Sequence, residues 1–351
     1  LMVVVKAEGY GHGLVEVAKH CQKMGIEAFA VATIDEGIKL REHGIYGEIL
    51  VLGYSHPIRA IELHNYRLIQ TIVNREHARQ LNESGHMINV HIKIDTGMHR
   101  LGFDLSDYES IKEIYDYQFI HIQGYFTHLC VCDSKRKVDQ EYTQKQIAAF
   151  YDLINELKLR HYDIGKVHLQ SSYGLVNYPE INADYARVGI LMYGPIIKSA
   201  SCRMKDTTKE NYKIILDLKP ALTIKAQIAM LHYLTKGASL GYGLTYKVNR
   251  DSVIAVIPIG YGDGLPRILS SNGSVLIKGQ KCPIVGRICM DQMLVDVSEI
   301  SDISDNDLVT VIGQDGTEEI RVEEIALEAN TISNEILSRL GSRLPRIYRG
   351  G

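Results

Sequence analysis

At about 150 residues per domain, a chain of 351 residues has room for two domains. Hydrophobic residues make up 45% and charged residues 23%, which supplies a packed core and argues against disorder. Lys and Arg number 39 against 42 Asp and Glu, a net charge of −3, so the basic excess of a nucleic-acid surface is absent. No apolar run reaches the ~18 residues of a membrane span, and the opening run 1–5 stops at Lys6, too short for a signal peptide. The six cysteines are scattered without a C-x-x-C and read as reduced thiols of a soluble, cytoplasmic chain. No metal site is expected. Because it starts on Leu1 in mid-strand, the chain reads as a fragment that a membrane or partner module could precede.

Short β-branched runs alternate with helical patterns through the first 195 residues, at 2–5, 28–32, 48–52, 68–73, 88–94, 119–126, 166–169 and 185–192. Between the first two runs, Leu14, Val17, Ala18 and Cys21 fall at the spacing of a buried helix face, closed by Gly25. A longer helix is predicted over 142–159, with Ile147, Phe150, Tyr151, Ile154 and Leu157 as its stripe. Such alternation implies parallel strands with crossover helices, and eight of them point to a closed (β/α)8 barrel. An open doubly wound sheet with some runs misread is the alternative. Residues 198–211 are polar and irregular and read as a linker. Beyond Leu218 the runs are strand-like, at 222–234, 253–259, 274–277, 282–288, 293–297 and 307–312, with Asn272-Gly273 and Asp315-Gly316 as turns. This second part reads as a mainly-β domain closed by a helical stretch at 322–338 and by Arg343-Leu344-Pro345-Arg346.

In a (β/α)8 barrel the chemistry sits where the strands end. Lys6 ends the first run, where partial desolvation would lower its pKa and suit Schiff-base formation. A lysine snorkelling at the rim is the simpler reading of that residue alone. The fifth run leads into Lys93 to Arg100, the sixth into Thr127-His128 and the seventh into Ser171-Ser172, and the eighth carries Arg187 and Gly189-Ile190. Singly, His128 reads as a satisfied core histidine, Asp95-Thr96 as a turn and the serines as a helix cap. Together they set a lysine, an arginine and a phosphate cradle around one mouth, which would suit pyridoxal phosphate.

The segment Val4-Val5-Lys6-Ala7-Glu8-Gly9-Tyr10-Gly11-His12-Gly13 closely resembles the pyridoxal-phosphate lysine motif of alanine racemases, the fold-type III enzymes. The resemblance continues through Asp95-Thr96-Gly97-Met98-His99-Arg100-Leu101-Gly102 and Arg187-Val188-Gly189-Ile190-Leu191-Met192-Tyr193-Gly194. It extends to Gly241-Tyr242-Gly243, Ile257-Pro258-Ile259-Gly260-Tyr261-Gly262-Asp263-Gly264, Gly286-Arg287-Ile288-Cys289-Met290-Asp291-Gln292 and Arg343-Leu344-Pro345-Arg346. It implies a cofactor-binding barrel over 1–215, short of the family's N-terminal lead, and a β domain over 216–351 that gives its base to the partner subunit of a homodimer. By the same resemblance, Lys6 would hold pyridoxal 5'-phosphate covalently and act as one acid/base, and Tyr242 would be the other. His128 would hydrogen-bond to that tyrosine, and Arg187 would face the pyridine nitrogen. Tyr10, Ser172, Gly189 and Ile190 match the phosphate set. Arg100, the Met290 backbone and Tyr261 match groups that hold the amino-acid substrate, and Lys93 stands where the family often carries a carbamylated lysine.

Three positions depart from the family pattern. Ser171 replaces a usual Asn, His99 replaces a common Gly, and Asn334 stands where a tyrosine normally completes the phosphate set and narrows the substrate entry. Asn334 resembles the racemase domain of the membrane-bound serine racemases of vancomycin-resistance systems. That likeness implies activity on both serine and alanine for peptidoglycan precursors, and a parent chain anchored in the membrane. An alanine racemase with little serine activity is the alternative. A single-domain cofactor carrier would lack residues 218–351, and a decarboxylase of the same architecture would not carry these Gly-Tyr-Gly and Cys-Met-Asp-Gln motifs.

Overall fold

The computed structural model describes residues 1–194, 201–206, 209–215 and 218–349. It divides into two compact units, one built from residues 1–9, 13–192 and the 201–215 hairpin, the other from residues 10–12, 193–194 and 218–349.

The first unit is the barrel. Strands β1 (Met2–Val4), β2 (Ala28–Val31), β3 (Glu48–Val51), β4 (Ile69–Ile72), β5 (Ile88–Asp95), β6 (Ile120–Phe126), β7 (Lys166–His168) and β8 (Arg187–Val188) pair in parallel, with β1 beside both β2 and β8. A parallel bridge from His168 to Tyr185 brings β7 alongside the start of β8, so the ring nearly closes. The eighth apolar run gives only two strand residues, because Ile190–Tyr193 winds into a 3-10 turn. Alternation along β5 sets the two faces. Val90, Ile92 and Ile94 pack outward with Leu81 and Ile111 of the helices, while His91 and Lys93 point into the barrel.

The first helix, Leu14–Lys23, buries Leu14, Ala18 and Cys21 as its spacing predicts, and Gly25 at φ 86° ends it. The predicted 142–159 helix runs over Lys137–Leu159, so it starts more than a turn earlier, and its first turns bury Asp139, Thr143 and Gln146, of which Asp139 precedes the predicted start. Hydrophobic spacing gives no sign of those turns, because their inward residues are polar. The predicted linker 198–211 is corrected in its described part: Ser201–Asp206 pairs antiparallel with Lys209–Ile215, and residues 198–200 and 207–208 lie outside the described residues.

In the second unit, Ile224–Gln227, Leu308–Asp315, Ser274–Ile277 and Gln280–Pro283 form one sheet, and Met230–Leu234, Ser252–Ile257 and Met293–Asp296 another, all antiparallel. The run 222–234 is therefore two strands in different sheets. Asp315 pairs with Glu318 across a two-residue turn in which Gly316 takes φ 62°. The helical stretch 322–338 is two helices, Val322–Glu328 and Ser333–Ser338, separated where Asn330 adopts φ 52°.

Directly after β1 the backbone turns left-handed, with φ near 53° at Ala7 and Glu8, 60° at Gly9 and 52° at Tyr10. Each non-glycine residue there costs about 1–2 kcal/mol, so the turn needs external support. Glu36 supplies it: Oε1 accepts from Ala7 N at 2.6 Å and Oε2 from Ala32 N at 2.7 Å, tying the turn to the end of β2. Lys39 Nζ meets Glu8 Oε1 at 2.6 Å, and Gly13 N donates to the Glu8 carbonyl at 2.7 Å. Glu36→Ala should cost about 1–3 kcal/mol through two unpaired amides, read as a lower thermal midpoint, and Glu36→Gln should cost less. An unchanged midpoint in Glu36→Ala would mean that the barrel backbone alone holds the turn.

Candidate active site

Lys6 follows β1, Lys93 lies near the end of β5 with Arg100 on the loop beyond it, and Arg187 opens β8, so these three strands bring a group of cations together. Burial and the nearby Arg100 lower the pKa of Lys6, with Glu36 opposing. Burial, reinforced by Arg187 and Arg100, pulls Lys93 down to about 7. Fully buried Arg187 is drawn down to about 9 by the same desolvation and is still a cation at neutral pH. The Phe126 ring, at the end of β6, lies 5.1 Å from both Lys93 Nζ and the Arg187 guanidinium carbon.

Arg187 has no carboxylate within ion-pair distance among the described residues. Its donors go to neutral acceptors: Nη1 to His168 Nδ1 at 2.7 Å and to the His168 carbonyl at 3.1 Å, and Nη2 to Thr127 O at 2.8 Å, Leu169 O at 3.0 Å and His128 Nδ1 at 3.2 Å. Both histidines must be neutral on Nδ1 to accept, so each carries its proton on Nε2. His168 Nε2 then donates to His91 Nδ1 at 2.8 Å. His91 Nε2 is buried without a hydrogen-bond partner among the described residues, beside Gly124, where an added Cβ would come within 3.0 Å of the His91 ring. Burial, with Arg187 adding repulsion, pushes His91 down to about 3 and His128 to about 2, and drives His168 well below its ordinary value.

Ser172 is buried, and its hydroxyl accepts from Gly189 N at 3.0 Å and Leu191 N at 3.3 Å. It does not cap a helix: Ser171 occupies the cap position of Ser172–Asn177 and makes no side-chain cap bond. The turn reading of Asp95 holds, since Oδ1 accepts from the amides of Gly97, Met98 and His99 and shapes the loop that leads to exposed Arg100. Lys6, Lys93, Arg100, His128, Ser172, Arg187, Gly189 and Ile190 thus belong to one unit.

Tyr10, Tyr242, Tyr261, Met290 and Asn334 belong to the other. Tyr10 packs 5.3 Å from the Tyr193 ring, and burial raises it to about 12. Tyr242 is 67% exposed on a 3-10 turn whose flanking Gly241 and Gly243 take φ 74° and 72°, which explains the glycine pair. Tyr261 N donates to Cys289 O at 3.0 Å and Gly262 N to Met290 O at 2.8 Å, so Tyr261 and Met290 sit on adjoining loops. Arg343 ties these loops together, 3.4 Å from Asp263 and 2.7 Å from Asp291. Asn334 is half-buried in the first turn of Ser333–Ser338, whose cap position is Ile332.

The comparisons agree along the whole chain. Residues 1–196 match the family model "Alanine racemase, N-terminal domain" and residues 221–348 match "Alanine racemase, C-terminal domain". The chain belongs to the alanine racemase family. An amino-acid racemase of Enterococcus faecalis is 44% identical over 99% of this chain and 48% of its own length. A serine/alanine racemase of Enterococcus gallinarum is 41% identical over 98% of the chain and 47% of its own length. The chain thus spans about half the length of these relatives. An alanine racemase of Halothermothrix orenii is 38% identical over 99% of the chain and 90% of its own length. Among solved structures, the alanine racemase of Bacillus anthracis with bound L-Ala-P superposes with TM-score 0.90 at 30% identity, covering 99% of this chain and 88% of that one.

Alanine racemases use pyridoxal 5'-phosphate, and the donor set fits it. The Ser172 hydroxyl accepts from the Gly189 and Leu191 amides, which leaves its own O–H to donate to a phosphate oxygen, and Lys6 of the same unit is a partly desolvated amine. Sequence reading did not single out Glu36, Phe126, His91, His168 or Gln146. Asp95, read as a turn, and Asp263, Asp291 and Arg343, which lie in motifs of the family resemblance, did carry a signal.

The buried histidines make folding acid-sensitive. His77 is lowered to about 4 by burial, His91 to about 3 and His128 to about 2, and His168 well below its ordinary value, against about 6.5 when unfolded. The unfolded chain therefore binds more protons, and stability that is complete above pH ~6.5 is lost as pH falls toward ~4, by about 1.4 kcal/mol per unit for each histidine. Urea titrations from pH 7 down to 4.5 should show uptake rising to roughly four protons on unfolding from these residues, beyond any carboxylate contribution. Little uptake between pH 7 and 5.5 would contradict their burial as neutral rings.

Proposed function

We propose that this chain is a pyridoxal-phosphate-dependent amino-acid racemase domain that interconverts the L and D forms of alanine and serine by two-base proton transfer at Cα. It works as a homodimer with shared sites and supplies D-amino acids for peptidoglycan precursors. The observation that carries this reading is the set of Lys6, Lys93, Arg100 and Arg187 at one barrel mouth with the Ser172 cradle. Such a mouth suits a ligand bearing both a phosphate and a carboxylate.

Bound pyridoxal phosphate supplies an electron sink that acidifies the substrate Cα–H. Lys6, held in its turn by Glu36, has a depressed pKa and can exchange a proton on one face at neutral pH. Tyr242 of the partner subunit serves the opposite face. His128 has its Nε2–H free of the Arg187 contact, so it can donate to that phenolic oxygen and favour its deprotonated form. Arg187, a donor without an acceptor site, keeps a facing ring nitrogen unprotonated, which limits the sink and discourages transamination. Tyr10, Ser172, Gly189 and Ile190 bind phosphate, and Arg100, Met290 and Tyr261 bind the substrate. Lys93, at about 7, has the neutral amine that carbamylation by CO2 requires. The full-length protein carries a membrane domain ahead of this one. Among the described residues, no helix is long and apolar enough to cross a membrane.

Tyr242 is exposed on its own unit, as a residue presented to a second chain would be. Mixing inactive Lys6→Ala with inactive Tyr242→Phe protein should restore part of the activity through heterodimers that hold one intact site each. If exchange of subunits is demonstrated and no activity returns, the shared-site arrangement is wrong.

Asn334 is the candidate specificity residue. Its amide can satisfy a substrate hydroxyl that would otherwise lose about 1–3 kcal/mol on burial, roughly ten- to a hundredfold in relative efficiency. The competing view of Asn334 as a helix cap loses support, because the cap position is Ile332. Asn334→Tyr should reduce serine turnover while leaving alanine turnover similar or higher. An unchanged serine-to-alanine ratio would remove residue 334 from the specificity argument and favour an alanine racemase with little serine activity.

A further inference from the structure

Three polar side chains are buried on the first turns of the Lys137–Leu159 helix, and two are used locally. Thr143 Oγ1 donates to the Asp139 carbonyl at 2.9 Å, and Asp139 pairs with Arg136 at 2.6 Å. Gln146, only 1% exposed, instead reaches two different loops. Its Nε2 donates to Thr96 Oγ1 at 3.2 Å and to the His128 carbonyl at 3.3 Å. Its Oε1 accepts from the Cys130 amide at 3.1 Å and the Cys130 thiol at 3.3 Å. Both donors and both acceptor directions of one amide are therefore matched. Thr96 belongs to the loop that leads to Arg100, and His128 and Cys130 to the loop after β6.

Two neighbouring contacts strengthen the link. Tyr142, one turn earlier, donates to Gly97 O at 2.8 Å, and the Thr96 and Thr127 hydroxyls meet at 2.8 Å. Gly97 stands at φ 123°, where an added Cβ would lie 2.3 Å from the Tyr142 hydroxyl, so this approach requires glycine.

We propose that Gln146 is a positioning residue, which locks the Arg100 loop and the His128 loop in one register from a helix that itself stays outside the chemistry. Functionally this rests on the racemase reading, in which Arg100 holds substrate and His128 serves the tyrosine. A buried polar network constrains strongly only while every member is satisfied. Removing the amide leaves a threonine hydroxyl, a carbonyl and an N–H to find new partners in both loops at once.

The test compares wild type with Gln146→Met, which keeps length and removes all four bonds, and Gln146→Glu, which keeps the acceptors and loses the donors. Amide hydrogen exchange, which needs neither cofactor nor turnover, should accelerate about tenfold in residues 95–100 and 127–132 together in Gln146→Met, while residues 148–157 keep wild-type protection. In the cofactor-loaded enzyme, kcat should fall about tenfold with cofactor content unchanged, and Gln146→Glu should lie between the two. Wild-type exchange in both segments, or faster exchange in only one, would overturn the proposal. Should Gln146→Met fail to fold, the same two segments in Gln146→Glu decide it. If wild type racemises neither alanine nor serine while both segments loosen together, the functional reading fails and the positioning role stands.

Discussion

A guanidinium with no anionic partner among the described residues, that of Arg187, fully buried where β8 begins, governs the arrangement of this barrel mouth. Burying a charge costs several kcal/mol even after relaxation, and Arg187 can remain there only if its donors are met. They are met by carbonyls of Thr127, His168 and Leu169 and by two imidazole nitrogens, all from the ends of β6 and β7. Those strands must therefore end at matching heights with their carbonyls turned inward. His128 is placed by this requirement as much as by its own contacts. The same requirement fixes tautomers: with Nδ1 accepting from Arg187, His128 has its proton on Nε2.

The interior below Arg187 follows from the same charge. His168 stacks on Phe126 at 4.8 Å with the rings 7° apart, and passes its Nε2 proton bond to His91. A protonated imidazole beside Arg187 would add a second buried cation, so both rings stay neutral. Phe126 faces Lys93 and Arg187 together, offering ring electrons to both cations. Gly124, two residues earlier on the same strand, must be small, because an added Cβ would lie 2.4 Å from the Lys166 carbonyl and 3.0 Å from the His91 ring.

How much of this could be read beforehand depends on sequence distance. The barrel strands were visible as short β-branched runs between helical patterns, Lys6 stood out as a charge at the end of the first run, and Arg187 as a charge within the eighth. Asp95 was readable as a turn because its partners are two to four residues away. Gln146 was not, because its partner Thr96 lies fifty residues earlier and an inward glutamine leaves no periodic trace. Glu36 supports Ala7 from the next helix, and its role exists only once β1 and β2 are paired. His168 lies inside a strand run, where a single polar residue looks like any inward position. The described part of the 198–211 segment was misread because a polar hairpin has the composition of a linker.

The cations also explain why Lys93 is the residue whose charge is least secure. Arg187 cannot release its proton at neutral pH, and Lys6 has Glu36 opposing its depression. Lys93 feels both Arg187 and Arg100, with only Asp95 opposing, and Asp95 already accepts three backbone amides. Burial is the largest cause of the Lys93 depression, and repulsion from Arg187 and Arg100 adds to it. Loss of its proton relieves one unit of charge. A carbamate would go further and set a negative group among the remaining cations, where it could orient Arg100 toward a carboxylate ligand. Carbamylation of Lys93, part of the function proposed above, would thus answer the same burial and the same repulsion from Arg187 and Arg100 that lower its pKa.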